Sequence, residues 1–198
     1  MLSRQKILVS FLREARNSAS RIQLMKWSFL LSAETPSHGG SAYYQFLPYL
    51  HGPHSFSLYQ EIDSLIRDGI IESRNEHVTW RLTDVAERTV LSIPASVRTD
   101  VYYVINKYGF MSEKQLIDII YEEYPWYTIN CQDAHKRREK RPVANIAIYT
   151  IGYEALSVDD FLNRLLKMAY NALLMYETIL YQGVMDSTRT LCPVSANS

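Results

Sequence analysis

The chain reads as mainly α with small β: a winged helix-turn-helix, then a helical hairpin, then an incomplete α/β unit. Three observations predict this. Apolar residues recur at helical spacing up to Tyr124, two short strand-like runs flank the polar turn Ser73-Arg74-Asn75-Glu76, and a buried-strand pattern at 145–151 has too few residues behind it to build a sheet.

The first helix is carried by Ile7, Leu8, Phe11, Leu12 and Ala15, with Ser3 as N-cap and Asn17-Ser18 as a stop. Ile22, Met25, Phe29 and Leu30 form the stripe of a second helix, capped by Ser18 or Ser20. After the loop Thr35–Gly40, Tyr44–Tyr49 is extended, Pro48 favouring an edge, and His51-Gly52-Pro53-His54 turns the chain. Ser55 or Ser57 caps a third helix bearing Leu58, Ile62, Leu65 and Ile66, which Gly69 ends as a C′ glycine. Ile70–Glu72 and His77–Leu82 then make two wing strands, and Thr83 opens a helix through Val85, Ala86 and Val90. These elements form a winged-helix module over 1–92.

A helical extension over 93–130 follows. Val97, Val101, Val104 and Ile105 stripe its first helix; Ser112 with Gln115 makes a capping box for the second, where Leu116, Ile119 and Ile120 continue to Tyr124-Pro125. Tyr102, Tyr103, Tyr108, Tyr121, Tyr124, Trp126 and Tyr127 make this region aromatic, which points to packing on the first module and to a homodimer or partner contact. A basic linker, 131–143, precedes the α/β start at 144–168, in which Ser157 caps a helix presenting Val158, Phe161, Leu162, Leu165 and Leu166 to a sheet. The tail at 169–198 reads as non-native or disordered: of the 21 Lys and Arg, only Arg189 lies there. An unpaired strand at 145–151 carries an aggregation risk, and order is expected to fade after Pro142.

Composition narrows the function. The 198 residues are 47% hydrophobic and carry 21 basic and 21 acidic side chains, so no global field draws the chain onto nucleic acid. Cys131 and Cys192 lie far apart in weakly structured contexts, and no apolar run spans a bilayer; a reduced cytoplasmic setting is expected, with no membrane. No catalytic, cofactor or metal constellation emerges. His51 and His54 share a loop without an acid or Cys at ligand spacing, and Gly39-Gly40 lacks the lysine and strand of a phosphate loop. Glu122-Glu123 and Asp159-Asp160 are sequence neighbours that cannot converge on one substrate.

Recognition is what remains. The third helix offers Gln60 and Arg67 against Glu61, Asp63 and Asp68, an acidic face that a phosphate backbone would repel. A protein partner is therefore expected, with Tyr59, Glu61, Asp63, Tyr121 and Trp126 as contact candidates. The alternative is DNA, contacted by Arg13, Arg16, Arg21 and Lys26 on the first two helices and by Lys136, Arg137, Arg138, Lys140 and Arg141.

Two resemblances sharpen these readings. The segments Gln23-Leu24-Met25-Lys26, Phe46–Pro53, Leu58-Tyr59 and Leu65–Glu72 resemble the antitoxin-type winged-helix proteins called Panacea. That resemblance implies a bacterial or phage protein that recognises a protein, encoded nearby, or DNA. Residues 145–167, with Tyr149-Thr150-Ile151-Gly152-Tyr153-Glu154 and Leu156–Phe161, resemble the first βα unit of the bacterial domain of unknown function four-eight-eight, with Ala155 where that family usually has Gly. The family's continuation, an Asp-Val-Arg, a Pro, a Ser-Arg and a Gly-Phe segment, is missing. Reading the codons of 168–198 one register over allows that continuation, so a frameshift is expected near Met168, and the gene's nucleotides settle it. The intact relative would then be a candidate enzyme on nucleic acid or nucleotides.

Overall fold

The computed structural model describes residues 1–16, 18–74, 79–88, 91–140 and 156–167. It is mostly helical with a small antiparallel sheet. Helix α1, Ser3–Glu14, starts one residue earlier than the Ser3 cap implies: Leu2 is the N-cap, and Gln5 Oε1 accepts the Leu2 N–H at 2.7 Å. Strand β1, Ser18–Ser20, leads directly into α2, Arg21–Glu34, through a reciprocal box in which Ser20 Oγ accepts the Gln23 N–H and Gln23 Oε1 accepts the Ser20 N–H. Every side chain from Leu24 to Leu31 is buried, so α2 is the central rod of the core rather than a one-faced surface helix.

A two-stranded hairpin then projects from the α2 side: β2, Leu47–Tyr49, pairs antiparallel with β3, Gly52–His54, Pro48 opposite Pro53. The expected turn at His51–His54 is thus half strand, and Gly52 makes it so. Its φ of +87° suits glycine, and a Cβ there would lie 2.9 Å from the Tyr121 ring. Helix α3, Phe56–Arg67, is capped by Ser55, whose Oγ accepts the Leu58 N–H, and Gly69 (φ +68°) ends it with Ile70 N–H returning to Leu65 O.

Strands β4, Ile71–Arg74, and β5, Thr79–Leu82, form a hairpin where one is expected. Ser73 and Arg74, expected in its turn, instead pair with Trp80 and Thr79 as strand residues, and 75–78 lie outside the described residues. Strand β1 adds to the free edge of β5, giving the order β1-β5-β4. After the short α4, Asp84–Arg88, come α5, Ala95–Tyr108, and α6, Glu113–Glu123, the latter opened by the expected Ser112–Gln115 box. Val97, Val101, Val104 and Tyr108 of α5 join Ile7, Leu8, Phe11, Leu24 and Trp27 in one hydrophobic cluster, so the helical extension shares its core with the first module.

Two corrections concern the second half. Cys131 is not in loose surroundings: it is 3% exposed, with Sγ 3.2 Å from the Tyr121 hydroxyl. Helix α7, Val158–Lys167, has no parallel sheet beneath it among the described residues and meets the small β2–β3 hairpin instead. It packs on β2 and α3, burying Leu165 and Asp159, and Asn163 Nδ2 donates to Phe46 O at 3.1 Å. The expected strand at 145–151, Arg141, Cys192 and the tail at 169–198 lie outside the described residues.

Candidate recognition groove

Three elements enclose a groove of about 400 Å³: the N-terminal half of α2, the β2–β3 hairpin and the first turn of α3. Tyr49, Phe56 and Tyr59 wall it, with His54 among them. The imidazole stacks on Tyr59 at 5.0 Å between ring centroids and meets Phe56 edge-on at 4.7 Å. Arg21 is exposed at the rim, its guanidinium 4.8 Å above the Tyr59 ring and 5.8 Å from Trp80.

Lys26 lies at the bottom. Only 3% exposed, it donates from Nζ to the carbonyls of His51, at 2.5 Å, and Pro53, at 3.0 Å. Carbonyl dipoles replace only part of the lost hydration, so burial pulls its pKa from 10.5 down to about 7. His54 is likewise held down at about 4, first by burial and then by the positive charges of Lys26 and Arg21, against the opposite pull of Asp159. Among the described residues the groove therefore holds a neutral imidazole, a marginally charged lysine and one exposed arginine, and no carboxylate lines it.

The other end of α3's first turn is closed. Asp159 of α7, fully buried, accepts the Phe56 N–H at 3.0 Å and the Ser57 N–H at 3.3 Å, together with the hydroxyls of Ser55 at 2.9 Å and Ser57 at 2.8 Å. A helix N-terminus exposes unpaired N–H groups and partial positive charge, and a carboxylate there satisfies both.

Several candidate contact residues fall elsewhere than their sequence suggests. Lys26 is buried and so is no phosphate contact. Arg13 is half-buried and donates to Ala86 O at 2.9 Å, while Arg16 is exposed with φ +57°. Glu61 is 8% exposed because it turns inward to Arg4 and accepts the Tyr44 hydroxyl at 2.8 Å; it is no free partner contact. Asp63 stays exposed and Tyr59 half-buried in the groove wall. Tyr121 is buried at 4% beneath Gly52, whereas Trp126 is half-buried, its indole N–H lacking an acceptor among the described residues.

The basic segment is exposed yet anchored. Thr128 Oγ1 accepts the N–H groups of Arg138, at 2.8 Å, and Glu139, at 3.3 Å; Arg137 Nε donates to Cys131 O at 3.1 Å, and Lys136 lies 3.9 Å from Asp118. Arg137, Arg138 and Lys140 line a second cavity of about 420 Å³ with Ile129 and Glu139. Sequence reasoning noticed the basic run but not Thr128, whose hydroxyl carries no pattern of its own.

Among the described residues no His, Cys, Asp or Glu cluster is arranged to hold a metal ion, and no helix is long and apolar enough to cross a membrane. No protein-family model, curated protein or solved structure matches the chain.

Proposed function

We propose that this protein is a winged-helix recognition module that binds a protein partner and carries out no reaction of its own. The winged-helix reading is supported by the order α1, β1, α2, α3, β4 and β5, with β1 added to the edge of the β4–β5 hairpin; into this order the β2–β3 hairpin is inserted between α2 and α3. The meeting of Lys26 with the His51 and Pro53 carbonyls supports the antitoxin-like reading, because it joins two separated segments that carry that resemblance.

The observation that carries the choice of a protein over DNA is the Asp159 carboxylate on the N-terminus of α3. A recognition helix enters the major groove by its N-terminal residues. Here that end holds a buried negative charge, Asp63 and Asp68 add exposed acids further along, and Lys26 is withdrawn into the core. The partner is expected to be encoded by a neighbouring gene.

The DNA reading keeps one specific support, the exposed Arg137, Arg138 and Lys140 around the second cavity. Fluorescence anisotropy with a labelled duplex separates the two. Protein recognition predicts no binding below about 10 µM at about 0.15 M salt, and co-elution with the neighbouring gene's product. Tight duplex binding that weakens steeply between about 50 and 200 mM salt, without such co-elution, refutes it.

A further inference from the structure

The groove beside α2 has the makings of a small-ligand site, independent of the partner reading. Its volume, about 400 Å³, falls within the range of ordinary ligand pockets. Its walls are aromatic and its charged groups are all of one sign. Lys26 has three N–H donors when protonated, and the structure pairs two of them, with His51 O and Pro53 O. The third has no partner among the described residues.

We propose that this groove binds an aromatic monocarboxylate, its ring packed among Tyr49, His54 and Tyr59 and its carboxylate turned toward Lys26. A single unpaired donor matches a monoanion. The two carbonyl oxygens crowding Nζ would repel the extra oxygens and second charge of a phosphate. A planar ring suits a site where the imidazole already stacks on Tyr59 and Arg21 already covers that ring from outside. The chemistry has two sources: a free aromatic acid, or the C-terminal aromatic residue of another polypeptide.

Charge around Lys26 sets the pH response. Arg21 comes from α2 itself, Tyr49 from β2, His51 from the hairpin turn, His54 from β3, Tyr59 from α3 and Tyr121 from α6 beside Gly52; α1, α5 and β1, also packed on α2, contribute no lining group among the described residues. Asp159 of α7 acts on His54 but is spent on the first turn of α3. His54 stays neutral above pH 5, burial having lowered it to about 4, and the Tyr121 phenol is raised by burial and stays protonated. Lys26 is the buried cation of the groove whose charge changes near neutrality. Its ammonium form, dominant below about pH 7, holds the carboxylate, and binding takes up a proton above that pH.

The test is calorimetric titration of the full chain with 4-hydroxyphenylacetate. Expected are a dissociation constant of about 1 mM or tighter at pH 6, roughly tenfold weakening by pH 8.5, and at least roughly tenfold weaker binding of 4-hydroxyphenylacetamide. Lys26→Met and Arg21→Gln each weaken the acid by a larger factor than the amide; should Lys26→Met not fold, Arg21→Gln on its exposed site carries the charge test. Equal binding of acid and amide, no binding by about 10 mM acid, or tighter binding of phenyl phosphate overturns the proposal. A peptide ending in tyrosine with a free carboxylate identifies the source. Binding tighter than the free acid, and abolished by C-terminal amidation, assigns a polypeptide terminus; weaker binding assigns the free acid.

Discussion

The Asp159 carboxylate accepts the Ser55 hydroxyl at 2.9 Å across 104 positions of sequence, and the same carboxylate holds both leading N–H groups of α3. One side chain thus ties the last described helix to the first turn of the third.

Replacing Asp159 with Ala removes that tie. Loss of a helix cap costs about 0.5–2 kcal/mol. Thermal denaturation should show that loss, and hydrogen exchange at the Phe56 and Ser57 amides should accelerate in step. Unchanged exchange at those amides would mean that α7 does not guard them.

Glu61 and Asp63 are two residues apart on α3 and should behave oppositely. Glu61→Ala strands the buried Tyr44 hydroxyl and half-exposes Arg4, a loss on the order of 2 kcal/mol after allowing for the partly solvated arginine. Asp63→Ala, at an exposed site, should fall within about 0.5 kcal/mol of the parent. Urea midpoints compare the pair directly, and equal midpoints would remove Glu61 from the core.

Lys26 predicts a stability profile. Its folded pKa, about 7, lies below the unfolded 10.5, so between those values the unfolded chain binds the extra proton and stability rises with pH. The rise should stop near pH 10, where unfolded tyrosines ionise while Tyr43, Tyr44 and Tyr121, raised by burial, resist. In Lys26→Met the slope between pH 7 and about 10 should vanish, whatever the absolute stability becomes. A slope that survives the substitution assigns the titration to another group.

Thr128 predicts a proteolytic phenotype. Thr128→Val preserves shape but removes the acceptor for the Arg138 and Glu139 N–H groups. Trypsin should then cut between Lys136 and Lys140 faster, by roughly tenfold for each 1.4 kcal/mol of lost local protection. Identical cleavage rates would show that the segment is held by other contacts.

Local signals made much of the fold readable. Ser20, Ser55, Ser112 and Gly69 act at helix ends through their own backbone neighbourhoods, and a short-range pattern suffices to find them. Strand β1 escaped notice because Ser-Ala-Ser has no alternation; only β5, sixty positions on, makes it a strand. The groove was illegible for a related reason. Lys26 and Glu61 look like surface charges until the His51 and Pro53 carbonyls, or Arg4 and Tyr44, are brought to them by the tertiary fold. Charge counted along a helix cannot tell a solvated side chain from one turned inward.

The plug on α3 also sets a threshold for any rival. Because Asp159 travels on the same polymer as the amides it satisfies, it is replenished at a local level on the order of millimolar without a second molecule. A free anion seeking those amides competes with a resident that never diffuses away, so micromolar occupancy there requires about a thousandfold better fit than the resident carboxylate offers.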